Sequence, residues 1–225
     1  MPPFDQSRYQ VRLEWGVDGV RRLAHSDIVV VVDVLRFSST VSREVAAGRS
    51  VPLDASAHAV SINGAAIAAA AAEAGATVML GCLRDASAVA SAVFAEQTAR
   101  AARTSVAVIA AGELTGRERG APVRFAVEDQ LGAGAVVDAL AALGIDHTSS
   151  EAAAACEAFR GLRGAVRHLL TASGSGQELL ERDARDEVLA AAEIDADATA
   201  PVLVDGVFRA WDVSAESAPR AARQA

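Results

Sequence analysis

Residues 28–41 read IVVVVDVLRFSSTV, Ile28 to Val41, and this stretch decides the fold. Ile28 to Val32 is an unbroken run of β-branched residues, the composition of a strand buried on both faces. Asp33 interrupts the run where the strand should end. Arg36 follows, then Ser38, Ser39 and Thr40, residue types that suit a helix N-terminus. Ligands of open α/β sheets bind outside the carboxyl ends of the strands. A carboxylate, an arginine and three hydroxyls in that place read as a site for a phosphate and a metal. The plainer reading of the same residues is an Asp–Arg ion pair with a helix cap.

Working outward, the same punctuation recurs. Upstream, Val11 to Trp15 alternates as a strand and Gly16 to Ala24 suits a turn and a short helix. Downstream, Ser38 to Ala47 predicts a helix closed by Gly48, and Ser50 to Leu53 a short strand. Ala59 to Ile62 reads as a weak strand, and Asn63-Gly64 as a tight turn whose N–H groups can face a ligand. Ala65 to Ala74 predicts a helix, Thr77 to Leu80 a strand, Ala86 to Arg103 a helix and Ser105 to Ala111 a strand. A Gly- and Arg-rich loop from Leu114 to Pro122 precedes Glu128-Asp129 and a helix from Gln130 to Leu143.

Strand and helix thus alternate from residue 28 to residue 143, which predicts βαβ units. The expected fold is a layered α/β architecture, a largely parallel sheet flanked by helices. After residue 148 helices are expected over Ser149 to Phe159, Leu162 to Leu170 and Gln177 to Ala192, with a turn at Ala172 to Gly176. Asp205-Gly206 then joins Pro201–Val204 to Val207–Trp211 as a hairpin, and Ala215 to Ala225 is expected to fray. No repeat or long linker divides the chain. A single domain is expected, with its core over about residues 10–145 and residues 149–213 packed on it.

Composition bounds the partners. The chain has 225 residues, 52% of them hydrophobic, enough for a sizeable core. Its net charge of −8 argues against a nucleic-acid partner, because a phosphate backbone needs a basic surface. No lysine occurs, so every fixed side-chain cation is an arginine. The two cysteines, Cys82 and Cys156, make no CxxC, which suits reduced thiols and a cytoplasmic location. No signal peptide and no membrane span are expected. The sequence does not encode an oligomeric state legibly, and a homodimer is expected only as the commonest oligomer.

Four groups could carry chemistry, all at strand ends or in the turns after them: Asp33 with Arg36 and the hydroxyls, Asn63-Gly64, Gly112-Glu113, and Glu128-Asp129. Adjacent carboxylates point different ways on a helix, so at most one of Glu128 and Asp129 is expected to join Asp33 directly. Dipole-favoured acids at a helix start are the plain reading of that pair. The strand-end GxGxxG, the P-loop and the GxSxG elbow are absent. Leu35 stands where haloacid dehalogenase-type phosphatases repeat the aspartate. His25, His58, His147 and His168 are scattered.

Taken in order, these segments resemble the 2-phosphosulfolactate phosphatase family. VVVVDVLRFSSTV looks like its IDVLRASTT stretch, Ser61-Ile62-Asn63-Gly64 like TTNGT, Gly81 to Val89 like its Gly…Asn-Ala-Ser-Ala segment, and Ala111-Gly112 with Phe125 to Gly134 like AG…EDxxxAG. The resemblance implies an Mg²⁺-dependent α/β hydrolase that releases phosphate from 2-phospho-3-sulfolactate on the route to coenzyme M. It carries over Asp33, Arg36, Asn63, Glu128 and Asp129. On this reading Asp33 would bind Mg²⁺ or attack phosphorus, with Glu128 or Asp129 as metal ligand or base. Arg36 would hold the phosphoryl oxygens, with Ser38, Ser39, Thr40, Asn63 and Gly64 as further substrate contacts. The chain departs from the family in a short interval over Asp54 to Val60, in Phe37 after the arginine, and in Asp85 where asparagine is usual. A member that binds an anion without turning it over is the alternative.

Overall fold

The computed structural model describes residues 3–55, 57, 61, 63–116 and 121–212. The stretch Ile28–Val32 forms strand β2, buried along its whole length as its β-branched run predicts. Around it lie β1 (Val11–Trp15), β4 (Thr77–Gly81) and β5 (Val106–Ala110), all parallel, in the order β1-β5-β2-β4. Three more strands extend the sheet antiparallel beyond β4: β8 (Pro201–Val204), β9 (Val207–Ala210) and β3 (Val51–Pro52). The expected hairpin therefore exists, and it lengthens the main sheet through Met79 opposite Val202.

Nine helices flank the sheet among the described residues: α1 (Gly16–Arg22), α2 (Phe37–Ala46), α3 (Gly64–Glu73), α4 (Ala86–Arg100), α5 (Val127–Ala142), α6 (Ser150–Leu162), α7 (Val166–Ala172), α8 (Gly174–Glu181) and α9 (Arg185–Ala191). Alternation along β2 sorts them into two layers. Ile28, Val30 and Val32 join a core with residues of α4 to α9, whereas Val29 and Val31 join one with α1, α2 and α3. The chain leaving β2 enters α2 on one face. The chains leaving its neighbours β4 and β5 enter α4 and α5 on the other. That reversal makes the end of β2 the topological switch point, where sheets of this kind place the crevice that takes a ligand. The register makes the edge level, since Val32 pairs with both Gly81 and Ala110.

Several boundaries differ from the sequence expectation. Helix α5 starts at Val127 and draws Glu128 and Asp129 into its first turn. Ala172 to Gly176 is no free turn: the Ser173 hydroxyl accepts the Gly176 N–H at 3.0 Å and caps α8. The helix expected from Gln177 to Ala192 breaks into α8 and α9 around Asp183, whose φ is +59°. A two-stranded ribbon, β6 (Glu113–Leu114) with β7 (Val123–Arg124), flanks the expected loop and joins its two ends. The weak strand over 59–62, apart from Ser61, and the frayed segment 215–225 lie outside the described residues. Among the described residues no helix is long and apolar enough to cross a membrane.

One buried ion pair fastens the C-terminal region to the sheet edge. Arg84, just after β4, donates to both oxygens of Asp197 at 2.8 and 3.0 Å and to Glu193 at 2.6 Å. Asp85 beside it is fully buried, with one oxygen accepting the Cys82 N–H at 2.8 Å and the other unpartnered. Burial pushes its carboxyl up to about 7, and the charge of Asp197 adds to the rise against the Cys82 hydrogen bonds. A raised carboxyl makes the folded state the better proton binder, so stability falls as pH rises from about 4 to about 7. Asp85→Asn, an uncharged side chain of the same shape, is therefore expected to be more stable than the parent by about 2 kcal/mol near pH 8. The advantage should fade toward about pH 4. Urea unfolding at a series of pH values checks both ends.

Candidate active site

Asp33 leaves β2 at the crevice and is buried. Its Oδ1 accepts the Phe37 N–H at 3.2 Å, and its Oδ2 accepts the Ser61 hydroxyl at 3.0 Å and the Gly64 N–H at 3.2 Å. The first turn of α2 and the start of α3 thus aim one carboxylate between them. A β-carbon on Gly64 would lie 2.6 Å from Asp33 Oδ2 and 2.8 Å from the Phe37 ring, so only glycine lets α3 approach.

Asp129, from the first turn of α5, ties the level strand ends together. Its Oδ1 accepts the Val34 N–H at 2.7 Å and its Oδ2 the Gly112 N–H at 2.8 Å. Asn63 completes the network by donating to the Gly112 carbonyl at 2.6 Å. Gly112 has φ +65°, and a β-carbon there would meet the Arg124 carbonyl at 2.6 Å, which explains the glycine between β5 and β6. Glu128 points a different way, as neighbours on a helix must. Its Oε1 meets the Ser175 hydroxyl, which also meets Glu113 Oε1. Glu128 Oε2 is buried without a partner.

The electrostatics agree with this gathering. Burial pushes the Asp129 carboxyl well above the ordinary carboxylate range, and the charges of Asp33 and Glu128 push the same way. Burial also raises Asp33 against its three hydrogen-bond donors, and Glu128 adds to the rise. Glu113 is raised by burial and, against the Ser175 bond, by the charges of Glu128 and Asp33. Like charges held this close favour a proton or a cation among them.

Other expected contacts are placed differently. Arg36 makes no ion pair with Asp33; its guanidinium meets Glu187 of α9, and both side chains are partly exposed. The hydroxyls of Ser38 and Ser39 donate to the carbonyls of Val31 and Val34 at 3.0 and 2.8 Å, so their protons are committed to the backbone. Thr40 is exposed on α2. The Gly64 N–H and the Asn63 amide, expected to face a ligand, are turned inward to Asp33 and Gly112. Sequence reasoning missed Ser175 and Glu187. Ser175 had a usable signal: reading Ser173 as an N-cap starts the helix at Gly174 and places Ser175 in its first turn.

A carboxylate offers about four lone-pair positions. Asp33 uses three of them and Asp129 two, while Glu128 Oε2 is orphaned. This oxygen-rich set fits a hard divalent cation, which Mg²⁺ exemplifies by taking one or two carboxylates together with water and phosphate oxygens. Among the described residues no three His, Cys, Asp or Glu side chains form a ready-made cation cage.

The family model for 2-phosphosulpholactate phosphatase matches residues 54–206, about two thirds of the chain. The chain belongs to that family. The match spans Asn63, Gly64, Glu113, Glu128, Asp129 and Ser175 and begins after the β2–α2 segment. No curated protein matches the chain. In a phosphatase family, the aim of Asp33 should matter to rate. Gly64→Ala is expected to lower phosphatase activity by about 10²-fold through displacement of Asp33. It should also cost about 1–3 kcal/mol of stability from overpacking. Gly161→Ala, in the last turn of α6 with nothing within 4 Å of the added carbon, should leave activity unchanged and raise stability by up to about 1 kcal/mol in the same kinetic and urea-unfolding assays.

Proposed function

We propose that this protein is an Mg²⁺-dependent phosphatase acting on a small phosphorylated hydroxy acid of the 2-phosphosulfolactate type. The observation that carries the reading is the gathering of Asp33, Glu128 and Asp129, buried and mutually repelling, at the crevice where β2 ends. Such an arrangement costs stability and is retained where a ligand relieves it.

Asp33 and Asp129 would hold the cation, each with lone pairs left after its hydrogen bonds. Bound there, Mg²⁺ would neutralise charge on the transferring phosphoryl group. Glu128 offers its unpartnered Oε2 to the proton of an attacking water. Arg36 would exchange its bond to Glu187 for phosphoryl oxygens, a pairing that guanidinium geometry favours. The N-terminal end of α2, with exposed Thr40, adds dipole support for an anion. Ser38, Ser39, Asn63 and Gly64 serve this reading indirectly, by fixing the loops that carry Asp33. The buried, unpaired thiols of Cys82 and Cys156 support a cytoplasmic setting.

Release of inorganic phosphate from a panel of phosphorylated hydroxy acids, with and without Mg²⁺, tests the function. The wild-type protein is expected to turn over at least one member only with the metal. Asp33→Asn should reduce that rate to background while remaining folded by circular dichroism. Full activity in that variant would remove Asp33 from the mechanism. Phosphate binding by calorimetry with no turnover across the panel would identify the non-catalytic anion binder instead.

A further inference from the structure

The pair of Arg36 with Glu187 joins two elements that other contacts already hold in place. Arg36 caps the start of α2, where the Ser38 N–H donates to the Asp33 carbonyl at 2.8 Å. Glu187 lies in the first turn of α9, next to the fully buried Val188, and Ala191 of the same helix is 2% exposed. The buried Arg84 guanidinium donates to the Ala190 carbonyl at the far end of α9. Asp197, beyond that helix, accepts the Ser42 hydroxyl of α2 at 3.2 Å and the Arg84 guanidinium. The two backbones are thus fastened to each other without the Arg36–Glu187 contact. The carboxylate is delivered to the guanidinium by the fold, unlike a pair formed by two loose surface chains.

The contact itself is weak enough to be exchanged. Glu187 Oε2 accepts from Arg36 Nη1, and among the described residues the guanidinium makes no other hydrogen bond. The two side chains are 41% and 42% exposed, so water screens their attraction. A guanidinium carries one positive charge, which Glu187 already balances. A phosphoryl dianion that comes to the same group is repelled by that carboxylate and gains the full attraction of Arg36 only when Glu187 lets go.

We propose that Glu187 is an internal competitor for Arg36, which sets how tightly the site holds a phosphoryl group and how readily inorganic phosphate leaves. The proposal rests on the phosphatase reading above for its effect on turnover, and on Arg36 alone for its effect on binding. A phosphoryl group takes Arg36 from the fraction of molecules in which Glu187 has released it, and its apparent affinity is lowered by that fraction. Inorganic phosphate, the product of the proposed reaction, is itself an anion that an unopposed guanidinium would retain. The return of Glu187 to Arg36 favours its departure.

Binding of inorganic phosphate with Mg²⁺ present, by calorimetry and as an inhibitor of turnover, tests this in the full-length protein. Glu187→Gln is expected to tighten phosphate by about three- to sixfold. The KM for a phosphorylated hydroxy acid should fall by the same factor, with no rise in kcat. Glu187→Asp, which shortens the reach by one methylene, should give part of that gain. Asp186 is exposed in the same turn, so Asp186→Asn removes an equal charge without touching the pair and should leave phosphate binding unchanged. In an Arg36→Gln background, Glu187→Gln should give no gain. Unchanged or weaker phosphate binding in Glu187→Gln would overturn the competition, and a higher KM with a lower kcat would make Glu187 a support for Arg36 instead. A gain that persists without Arg36, or that Asp186→Asn reproduces, would overturn it as an effect of net charge. Phosphate that neither binds nor inhibits any of these proteins would overturn it too. Tighter phosphate in Glu187→Gln, with no hydrolysis by either protein, would overturn the phosphatase reading and leave the competition for Arg36 standing.

Discussion

The structure turns on the burial of like charges at one strand end. Asp33, Glu128 and Asp129 are 8%, 2% and 4% exposed, and each feels at least one of the others. Desolvation disfavours the ionised forms of Asp33 and Asp129, and repulsion from Glu128 adds to the penalty. What holds the arrangement is a set of N–H and O–H donors delivered by separate elements: Phe37 from α2, Ser61 and Gly64 at the start of α3, Val34 after β2, and Gly112 after β5. The surrounding apolar layers, mostly valine, alanine and leucine, supply the stability that offsets it.

The two layers of helices explain why these donors meet. β2 sends the chain to one face, and its two neighbours send it to the other, so loops from both faces close over one crevice. The C-terminal helices take part in the site as well as in the core. α8 contributes Ser175 to the two glutamates, and α9 contributes Glu187 to Arg36. Arg84 anchors the segment after α9 through Asp197 and Glu193, a buried pair whose disruption would strand a charge. The family match across residues 54–206 includes this region.

Much of the fold was legible in the residues. The valine run of β2, the alternation from residue 28 to 143 and the Asp205-Gly206 hairpin all describe local preferences that tertiary packing reinforced. The errors have physical causes. Ser173 to Gly176 looks like a turn because glycine is a poor helix former, yet a serine cap and the packing of Leu179 stabilise α8. Glu128 and Asp129 could be read as a dipole-favoured helix start, and they do stand there. Their burial is what makes them unusual, and burial is not visible in a pair of letters.

The sequence by itself determined the class of fold, the strand whose end matters, and the acids and glycines gathered near it, because these follow from side-chain periodicity and backbone preference over short spans. Only the tertiary structure decided their partners. Arg36 turns to Glu187 across 151 positions, Asp33 takes Ser61 and Gly64 rather than Arg36, and Ser175 reaches Glu128 across 47. Hydrogen bonds of that sequence separation depend on how layers stack and which loops reach the crevice, and no local pattern in the chain records that distance.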